Sequence, residues 1–467
     1  MTAATQRVPP LASQPPARLA AAEQHLPSGL RVLAARRGGA PIVEMRLILP
    51  CHGGGTAHAT AELLAVTILG GTPHRDRQAL DADLATMGAT LTVAARPEYL
   101  LLSGYVLAQH AGRLLALLGE VVTGAAYPDH DVAGQRARLA GRLRAHAAQP
   151  HIIARQELLR RCYGDHPAAR EVPAERDLVG VSPLALRRLH QATVVPQGAA
   201  LVLVGEAVPG RLIDAAHAAL DGWRGRRPAP AQAPPLPVPP GEVELLDDPA
   251  GRQIMVGLAS PAPAEADPGY PAAVLANLVL GGYFASRLFE HLREGQGHVY
   301  RCTSALDERA GRGAMLLEFA TDPDGAGAAL RETHEQLCRI ARTGPPDAAE
   351  IEAARGYAVG SQAVKLATQG GLADALALLA LRGQDLSWLP RRARRLATVP
   401  GTQVRRWAAR LFDPAAMTGF ARGPAPLLAG APSPLGSRIR PPATEQPAPL
   451  PRVQPVHSPP VHGGRDD

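Results

Sequence analysis

The feature that most constrains the fold of this chain is an internal repeat. The segment beginning at Tyr99 predicts an apolar strand, a helix with leucines at i, i+3 and i+4, a proline-containing turn and a second long helix. The segment beginning at Ala314 repeats this order, and the Gly-Gly turns of VTILGGT and NLVLGGYFASRL also correspond. A chain of 467 residues is long for one core. The repeat therefore predicts an α+β fold of two homologous domains, each an antiparallel sheet backed by helices.

Proline content predicts where these domains begin and end. Residues 228–240 hold seven prolines, which exclude a helix or a central strand and favour a stiff linker. From Pro424 onward, twelve prolines among small polar residues predict a disordered tail. The predicted division is a disordered N-terminus at 1–21, a first domain at 22–227, a linker at 228–245, a second domain at 246–423 and a disordered tail at 424–467.

The composition argues against several classes of function. Nucleic-acid binding is disfavoured because aromatic residues make up only 3% of the chain, although the net charge is +7. The densest basic stretch, 391–410, is interpreted as the solvated faces of two helices, and a role in attracting acidic peptide stays open. No apolar run approaches the roughly 18 residues of a membrane helix, and the N-terminus has no secretory apolar core.

The cysteines indicate the compartment. They are widely spaced, without a C-x-x-C pair, so we expect buried thiols in a reducing cytoplasm and not a disulfide framework. The abundance of Arg, Ala, Gly and Pro is typical of a GC-rich bacterial genome. The four cysteines are Cys51, Cys162, Cys302 and Cys338.

The segment HATAELLAVTILGGT raises the question of a metal site. His58 and Glu62 are four residues apart, which places them on one face of the predicted helix. His58 lies near the helix start, and we expect it to be a surface or capping residue. The preceding CHGGGTAH invites comparison with a phosphate-binding loop, but it lacks the G-K-[ST] ending and the long glycine spacing of such loops.

Several motifs, taken in order, resemble the pitrilysin/insulinase metallopeptidase family, in particular its two-domain, processing-peptidase-like members. They are the GGT turn, YGDHPAAREVPAERDLVGVSPLALRRLHQATVVPQGAALVLVGE, LANLVLGGYFASRLFEHLREGQGHVY and GPPDAAEIEAAR. The resemblance covers residues 22–423 and implies two homologous domains in a clamshell arrangement.

The resemblance also implies where zinc would bind. Active members hold zinc through H-x-x-E-H on the first-half helix and a carboxylate farther along the chain. Counting from the Gly71–Thr72 anchor, the motif positions are Glu62, Ala65 and Val66 here, and the distant position is Arg142. A guanidinium has no lone pair and repels a cation, and alanine cannot activate water. We therefore predict that this chain binds no metal of its own. Glu62 and Arg142 are predicted to form an ion pair where zinc is bound in active relatives.

The second half keeps another family signature. In LREGQGHVY, Arg293 and Tyr300 are seven residues apart around a Gly turn. The resemblance implies that this pair binds the substrate backbone and stabilises the developing oxyanion. The alternative is a helix-end salt bridge and a strand core residue. The flanking His291 and His298 match no known role and are expected at the surface.

The turn that precedes this signature is the predicted peptide-binding wall. Gly281, Gly282, Ser286 and Arg287 are the predicted substrate-binding residues, although the glycines equally suit a tight helix-entry turn.

The predicted function is that of a non-catalytic subunit. It would pair with a zinc-bearing H-x-x-E-H homologue and donate Arg293 and Tyr300 to a composite endopeptidase site for extended peptides. Neither nucleic acid nor membrane is an expected partner. The alternatives are a catalytically dead structural or peptide-binding homologue, and a dedicated partner for processing the leader peptide of a ribosomal natural product.

Overall fold

The structure is a computed structural model that describes residues 19–51, 56–226, 235, 238–241, 243–295, 297, 299–428 and 439–440. The first half contains β1 (Ala21–His25), β2 (Arg31–Arg36), β3 (Ile42–Pro50), α1 (Thr56–Thr67), α2 (Arg77–Met87), β4 (Thr90–Ala95), β5 (Tyr99–Leu107), α3 (Ala111–Gly124), α4 (Asp129–Ala147), α5 (Pro150–Tyr163), α6 (Pro183–Thr193), β6 (Ala200–Gly205) and α7 (Pro209–Leu220).

The second half follows the same plan. It contains β7 (Val243–Asp247), β8 (Ile254–Ala262), α8 (Tyr270–Asn277), α9 (Arg287–Phe289), β9 (Val299–Arg309), β10 (Arg312–Thr321), α10 (Ala326–Cys338), α11 (Ala348–Ala367), α12 (Gln369–Leu381), α13 (Trp388–Thr398), α14 (Gly401–Leu411), β11 (Thr418–Gly423), α15 (Ala425–Leu428) and β12 (Ile439–Arg440). Segments of π-helix run over Leu278–Gly282 and Glu290–Gly295, on either side of α9.

The two sheets have corresponding strand orders, which confirms the predicted repeat. The first is β1-β2-β6-β3-β5-β4 and the second β12-β7-β11-β8-β10-β9. They are not purely antiparallel as predicted, because β2 pairs with β6 in parallel, and β7 pairs in parallel with β11 and β12. The chain reaches β6 and β11 only after a long helical excursion, and a return of that kind can enter the sheet in the same direction as its neighbour.

The halves are joined by an exchange of helices. In α12, Leu372 and Leu376 pack on the first sheet against Ile48 and Val202. All six residues of β6 are buried, because alternate side chains enter the core of the first half or meet α12. A helix that is apolar all round is typical of such a buried position, and QGGLADALALLAL is of that kind.

The reciprocal contact is made by α5. Its Leu158 packs on the second sheet against Leu316 and Phe420. Each sheet is thus covered on one face by helices of its own half and on the other by a helix of the other half. This exchange fixes the position of the halves within one chain, and it leaves the predicted clamshell as a hypothesis about two chains.

Residues near the predicted domain boundaries form regular structure. β7 begins at Val243, inside the predicted linker 228–245, most of which lies outside the described residues. α15 and β12 fall inside the predicted disordered tail, where Leu428 is fully buried in the second core and β12 pairs with the edge of β7. These elements are ordered because they supply an apolar side chain to a core and hydrogen bonds to a sheet edge.

The cysteines remain reduced thiols, three of them buried and Cys338 half-buried. Burial raises the pKa of Cys162 and of Cys302 to about 12, so both thiols are unreactive at neutral pH. The sequence-based expectation about membranes needs one correction. Tyr270–Leu292 is long and apolar enough to cross a membrane by composition, but 56% of its most apolar window is buried inside the protein, as in a core helix.

Candidate functional site

The helix that would carry a zinc motif is α1, and it is anchored at its C-terminal end. The turn after it contains Gly71, whose φ of +144° disfavours other residues. The Oγ1 atom of Thr72 accepts hydrogen bonds from the backbone N–H groups of His74 (3.2 Å) and Arg75 (3.1 Å). Leu63 and Leu64 are fully buried in the first core. The rotation of α1 is therefore fixed, and with it the direction of each motif position.

Two of the degenerate positions are apolar. Ala65 is 5% exposed and belongs to the first core, and the half-buried Val66 packs against it. Neither side chain can bind a metal or abstract a proton.

The other two positions face each other, as predicted. Arg142 Nη2 on α4 lies 3.8 Å from Glu62 Oε2 on α1, which confirms an ion pair that joins the two helices. The separation is longer than a hydrogen bond. The Arg142 side chain is 61% exposed, so the pair sits at the surface and not in the core.

The environment of Glu62 opposes its charge. Burial raises the pKa of the Glu62 carboxyl, and the guanidinium groups of Arg142 and Arg96 lower it only in part. The carboxylate is thus destabilised relative to a solvated one, even with two arginines nearby.

This arrangement does not fit zinc. One carboxylate next to a guanidinium, with alanine and valine at the remaining positions, supplies too few ligands and the wrong charge. Among the described residues, no group of three or more His, Cys, Asp or Glu side chains is arranged to hold a metal ion.

His58 is not a surface residue as expected. It is 5% exposed, and its Nε2 atom has no hydrogen-bond partner among the described residues. Burial lowers the pKa of the imidazole, and the charge of Asp177 raises it only in part. His58 is therefore a neutral buried side chain one turn before Glu62. The glycine-rich residues 52–55 before it lie outside the described part of the chain.

The Arg/Tyr signature is described only in its backbone. Arg293 lies in the π-helical segment Glu290–Gly295 and Tyr300 in β9, and Gly297 between them has a φ of +68°, as a Gly turn requires. The side chains of both residues lie outside the described part of the structure, so their substrate-binding role stays a prediction. His291 is half-buried, with Nδ1 2.7 Å from the backbone oxygen of Arg287.

The predicted substrate-binding glycines serve packing. A Cβ atom on Gly281 would lie 2.8 Å from the Cβ of Ser304 in β9, and one on Gly282 would lie 2.9 Å from Leu278. Asn277, one turn before this pair, donates to the backbone oxygen of Ser304 at 2.9 Å. The glycines thus allow the π-helical turn to approach the strand.

Ser286 and Arg287, which were predicted to bind substrate, make contacts within the chain, and their substrate-binding role stays a prediction. Ser286 is completely buried. Arg287 donates through Nε and Nη2 to the two carboxylate oxygens of Glu350, at 2.6 and 2.7 Å, and through Nη1 to the backbone oxygen of Gly344. A bidentate pair of this kind holds the guanidinium in place and leaves it little capacity for a ligand.

The residues that the same turn exposes are aromatic, and sequence reasoning missed them. Phe284 is 73% exposed and lies edge-on to Phe289, while Tyr283 stacks on Tyr357 with centroids 4.8 Å apart. We call these four side chains the aromatic surface. Only 3% of the chain is aromatic, so the adjacent Tyr-Phe pair after the Gly-Gly turn was the available signal.

Comparison with known proteins agrees with this geometry. Residues 180–356 match the model of the peptidase M16 inactive domain, a match that begins just before α6 and ends within α11. Over these residues the chain is similar to the inactive domain of M16 peptidases. The predicted resemblance to this class of two-domain peptidase is confirmed.

One relative and two solved structures define how close the relationship is. An "uncharacterized zinc protease" of Mycobacterium tuberculosis is 26% identical over 346 residues, which cover 72% of this chain and 78% of the relative. A peptidase M16 inactive domain from Pseudomonas fluorescens superposes with a TM-score of 0.78 at 21% identity, covering 87% of this chain and 98% of the other. A protease from Helicobacter pylori superposes with a TM-score of 0.76 at 14% identity, covering 86% and 99%. These structures share the fold of this chain.

Proposed function

We propose that this chain is the non-catalytic subunit of a hetero-oligomeric zinc endopeptidase, and that its second half contributes Arg293 and Tyr300 to the active site of a zinc-bearing partner. The observation that carries the proposal is the state of α1. Its zinc positions hold an arginine–glutamate pair and apolar side chains. The match to the inactive-domain model supports the same assignment.

The contributed chemistry is electrostatic. The Arg293 guanidinium and the Tyr300 hydroxyl are hydrogen-bond donors that would bind the carbonyl groups of an extended peptide. They would stabilise the negative charge that develops on the scissile carbonyl oxygen, a role typically worth about 10²–10³-fold in kcat for one donor. The metal and the general base belong to the partner, and no step of the reaction passes through α1 of this chain.

The aromatic surface supports peptide as the substrate class. Phe289, whose ring packs edge-on to Phe284, is four residues before Arg293 in the sequence. Exposed rings beside backbone-binding donors would accept apolar side chains of an unfolded peptide. We expect the enzyme pair to act in the cytoplasm, where cysteines of this kind stay reduced.

The proposal is tested by mixing the chain with a zinc-bearing H-x-x-E-H homologue encoded beside it. Cleavage of a quenched fluorescent peptide is measured for each chain alone and for the mixture. We expect activity only in the mixture, with a fall of about 10²-fold for Arg293→Ala or Tyr300→Phe. Arg113→Ala and Tyr105→Phe, which change exposed residues of the first half, are the matched controls and should leave the rate unchanged.

Two results would contradict the proposal. A partner that cleaves equally well alone would make this chain a structural or peptide-binding homologue. A mixture that requires this chain but ignores both substitutions would show that Arg293 and Tyr300 are not used. If the mixture cleaves only one leader peptide encoded nearby, the dedicated-processing alternative is favoured over general peptide turnover.

A further inference from the structure

The positive charge of this chain is concentrated in two helices. Residues 388–412, which span α13 and α14, contain seven arginines and no aspartate or glutamate. The formal net charge of the whole chain is also +7, so the rest of the sequence is balanced. In the part of the chain that the structure describes, no carboxylate lies within ion-pair distance of Arg394 or Arg406, and both side chains are exposed.

A cleft lies beside this charge, between α13 and the first turns of α8. Arg391, Arg392 and Arg395 line one wall, and Tyr270 and Val274 line the other. We call this cleft the basic groove. Arg395 is one helical turn after both Arg391 and Arg392 on α13, and all three side chains border the cleft.

The carboxylates in the basic groove do not balance the positive charge of its arginines. Glu265 pairs with Arg392 (3.0 Å) and also with Arg382, so two half-buried guanidinium groups share one carboxylate. Burial lowers the pKa of both Arg382 and Arg392. Among the residues that the structure describes, the carboxylate paired with Arg391 is that of Asp385, whose side chain is 61% exposed. An added carboxylate would relieve this excess of positive charge.

The aromatic residues at this surface are not arranged for nucleic acid. Arg392 covers the ring of Trp388 at 5.1 Å from the centroid, and Arg410 covers Trp407 at 5.5 Å. Bases stack on open aromatic faces, and each of these indoles already has a guanidinium over one face.

We propose that the basic groove binds acidic side chains of an extended peptide, and thereby gives the enzyme pair a preference for acidic segments. The spacing suits this ligand. Residues four apart on a helix present side chains about 5–6 Å apart. Alternate residues of an extended chain point the same way about 6.6 Å apart. A peptide with an acid at every second position can thus meet Arg391 and Arg395 together.

The test measures binding by this chain alone, using fluorescence anisotropy of a labelled peptide of alternating glutamate and serine. We expect Arg391→Glu with Arg395→Glu to raise the Kd by about tenfold or more, because two charge-assisted contacts become repulsive. The Kd should also rise with salt concentration. Arg113→Glu with Arg138→Glu removes the same charge from exposed helix positions of the first half and is the matched control.

Three outcomes would overturn the proposal. The control pair could weaken binding as much as the groove pair, which would make the attraction one of net charge. A peptide with glutamine in place of glutamate could bind equally well. A single-stranded oligothymidylate could compete as strongly as the acidic peptide, which would identify a nucleic-acid surface. Circular dichroism and melting of both double variants establish that each is folded.

The choice of peptide as ligand rests on the proposed function, but the assay does not. It needs neither the partner nor Arg293 and Tyr300. Loss of cleavage in the mixture with intact acidic-peptide binding would therefore contradict the composite active site alone. Normal cleavage in the mixture, with no change in Kd when Arg391 and Arg395 are replaced, would contradict only the proposal about the basic groove.

Discussion

The two halves of this molecule share one topology but differ in the residues that join them: one contact is mainly apolar and the other contains a cluster of charged side chains. On the first sheet, the exchanged helix α12 presents an almost wholly apolar surface, with one ion pair at its edge between Arg46 and Asp374 (2.6 Å). On the second sheet, α5 combines apolar residues with a charge cluster centred on Arg155.

The charge cluster joins the halves through several contacts. Arg155 lies 2.6 Å from Glu318, 3.1 Å from Glu171 and 3.7 Å from Asp307. Arg309 pairs with Asp307 and Glu171 as well. Burial alone would lower the pKa of Arg155, but the three carboxylates raise it above its ordinary value. The comparison teaches that one packing geometry tolerates either an apolar or a charged contact, provided that buried charges are paired.

The largest effects should come from the apolar part of both contacts. Leu158→Ala on α5 and Leu376→Ala on α12 each remove a fully buried side chain between the halves. We expect each to lower the free energy of unfolding by about 3 kcal/mol, through lost transfer free energy and the cavity left behind. Urea unfolding of both variants measures this. If only one variant lost stability, α5 and α12 would contribute unequally to the stability of the protein.

Substitution of charged residues should affect the α5 contact more than the α12 contact. Arg155→Ala leaves Glu171 and Asp307 with Arg309, and Glu318 without an ion-pair partner among the described residues, so we expect a loss of about 2–4 kcal/mol. Asp374→Ala removes a half-exposed partner and should change the free energy by less than about 1 kcal/mol. The exposed pair Arg342–Asp413 provides a control in Arg342→Ala. Equal losses for Arg155→Ala and Asp374→Ala would refute the difference between the contacts.

His58 makes the first half sensitive to acid. Its pKa is lowered below 6.5 in the folded protein, so the unfolded chain binds a proton first as the pH falls below 6.5 and stability is lost. We expect His58→Leu to reduce the drop in Tm between about pH 8 and about pH 5.5. His130→Leu, on an exposed residue of α4, should leave the drop unchanged. An unchanged drop in His58→Leu would contradict the neutral buried state.

The smallest effect should come from Glu62. Its folded pKa is raised above 4.5, so the ionised carboxylate destabilises the folded state at neutral pH, and this penalty disappears as the pH falls through the folded value. Glu62→Gln should therefore raise Tm slightly at neutral pH and have no effect below 4.5. Differential scanning fluorimetry measures the shift, with the exposed Glu352→Gln as control. A lower Tm for Glu62→Gln would show that the ion pair with Arg142 outweighs the burial.

The meeting of Glu62 and Arg142 could be anticipated because the resemblance places both at the metal positions of active relatives. Counting back from the Gly71–Thr72 anchor assigns Glu62 on α1, and the structure confirms the contact between the two side chains. The exposure of Arg142 could not be anticipated, because it depends on how far α4 extends beyond the layer around it.

Other contacts at the site could not be anticipated, because they depend on partners far away in the chain. Arg287 was expected to meet substrate, but its carboxylate partner Glu350 is 63 residues later in the chain. Ser286 is completely buried in the same turn, which no local pattern specified. The exposed Phe284 of that turn was missed because burial of an aromatic residue is the ordinary expectation.

The sequence by itself determined the repeat, the two sheets with their helices and the absence of histidine at Glu62, Ala65 and Val66 of α1, since these depend on local periodicity and on the identity of single residues. Only the tertiary structure decided which helix covers which sheet, that one strand pair of the first sheet and two of the second are parallel, and that the arginines of α13 border a groove. These depend on contacts between residues far apart in the chain, and no local pattern specifies which of several apolar faces will meet.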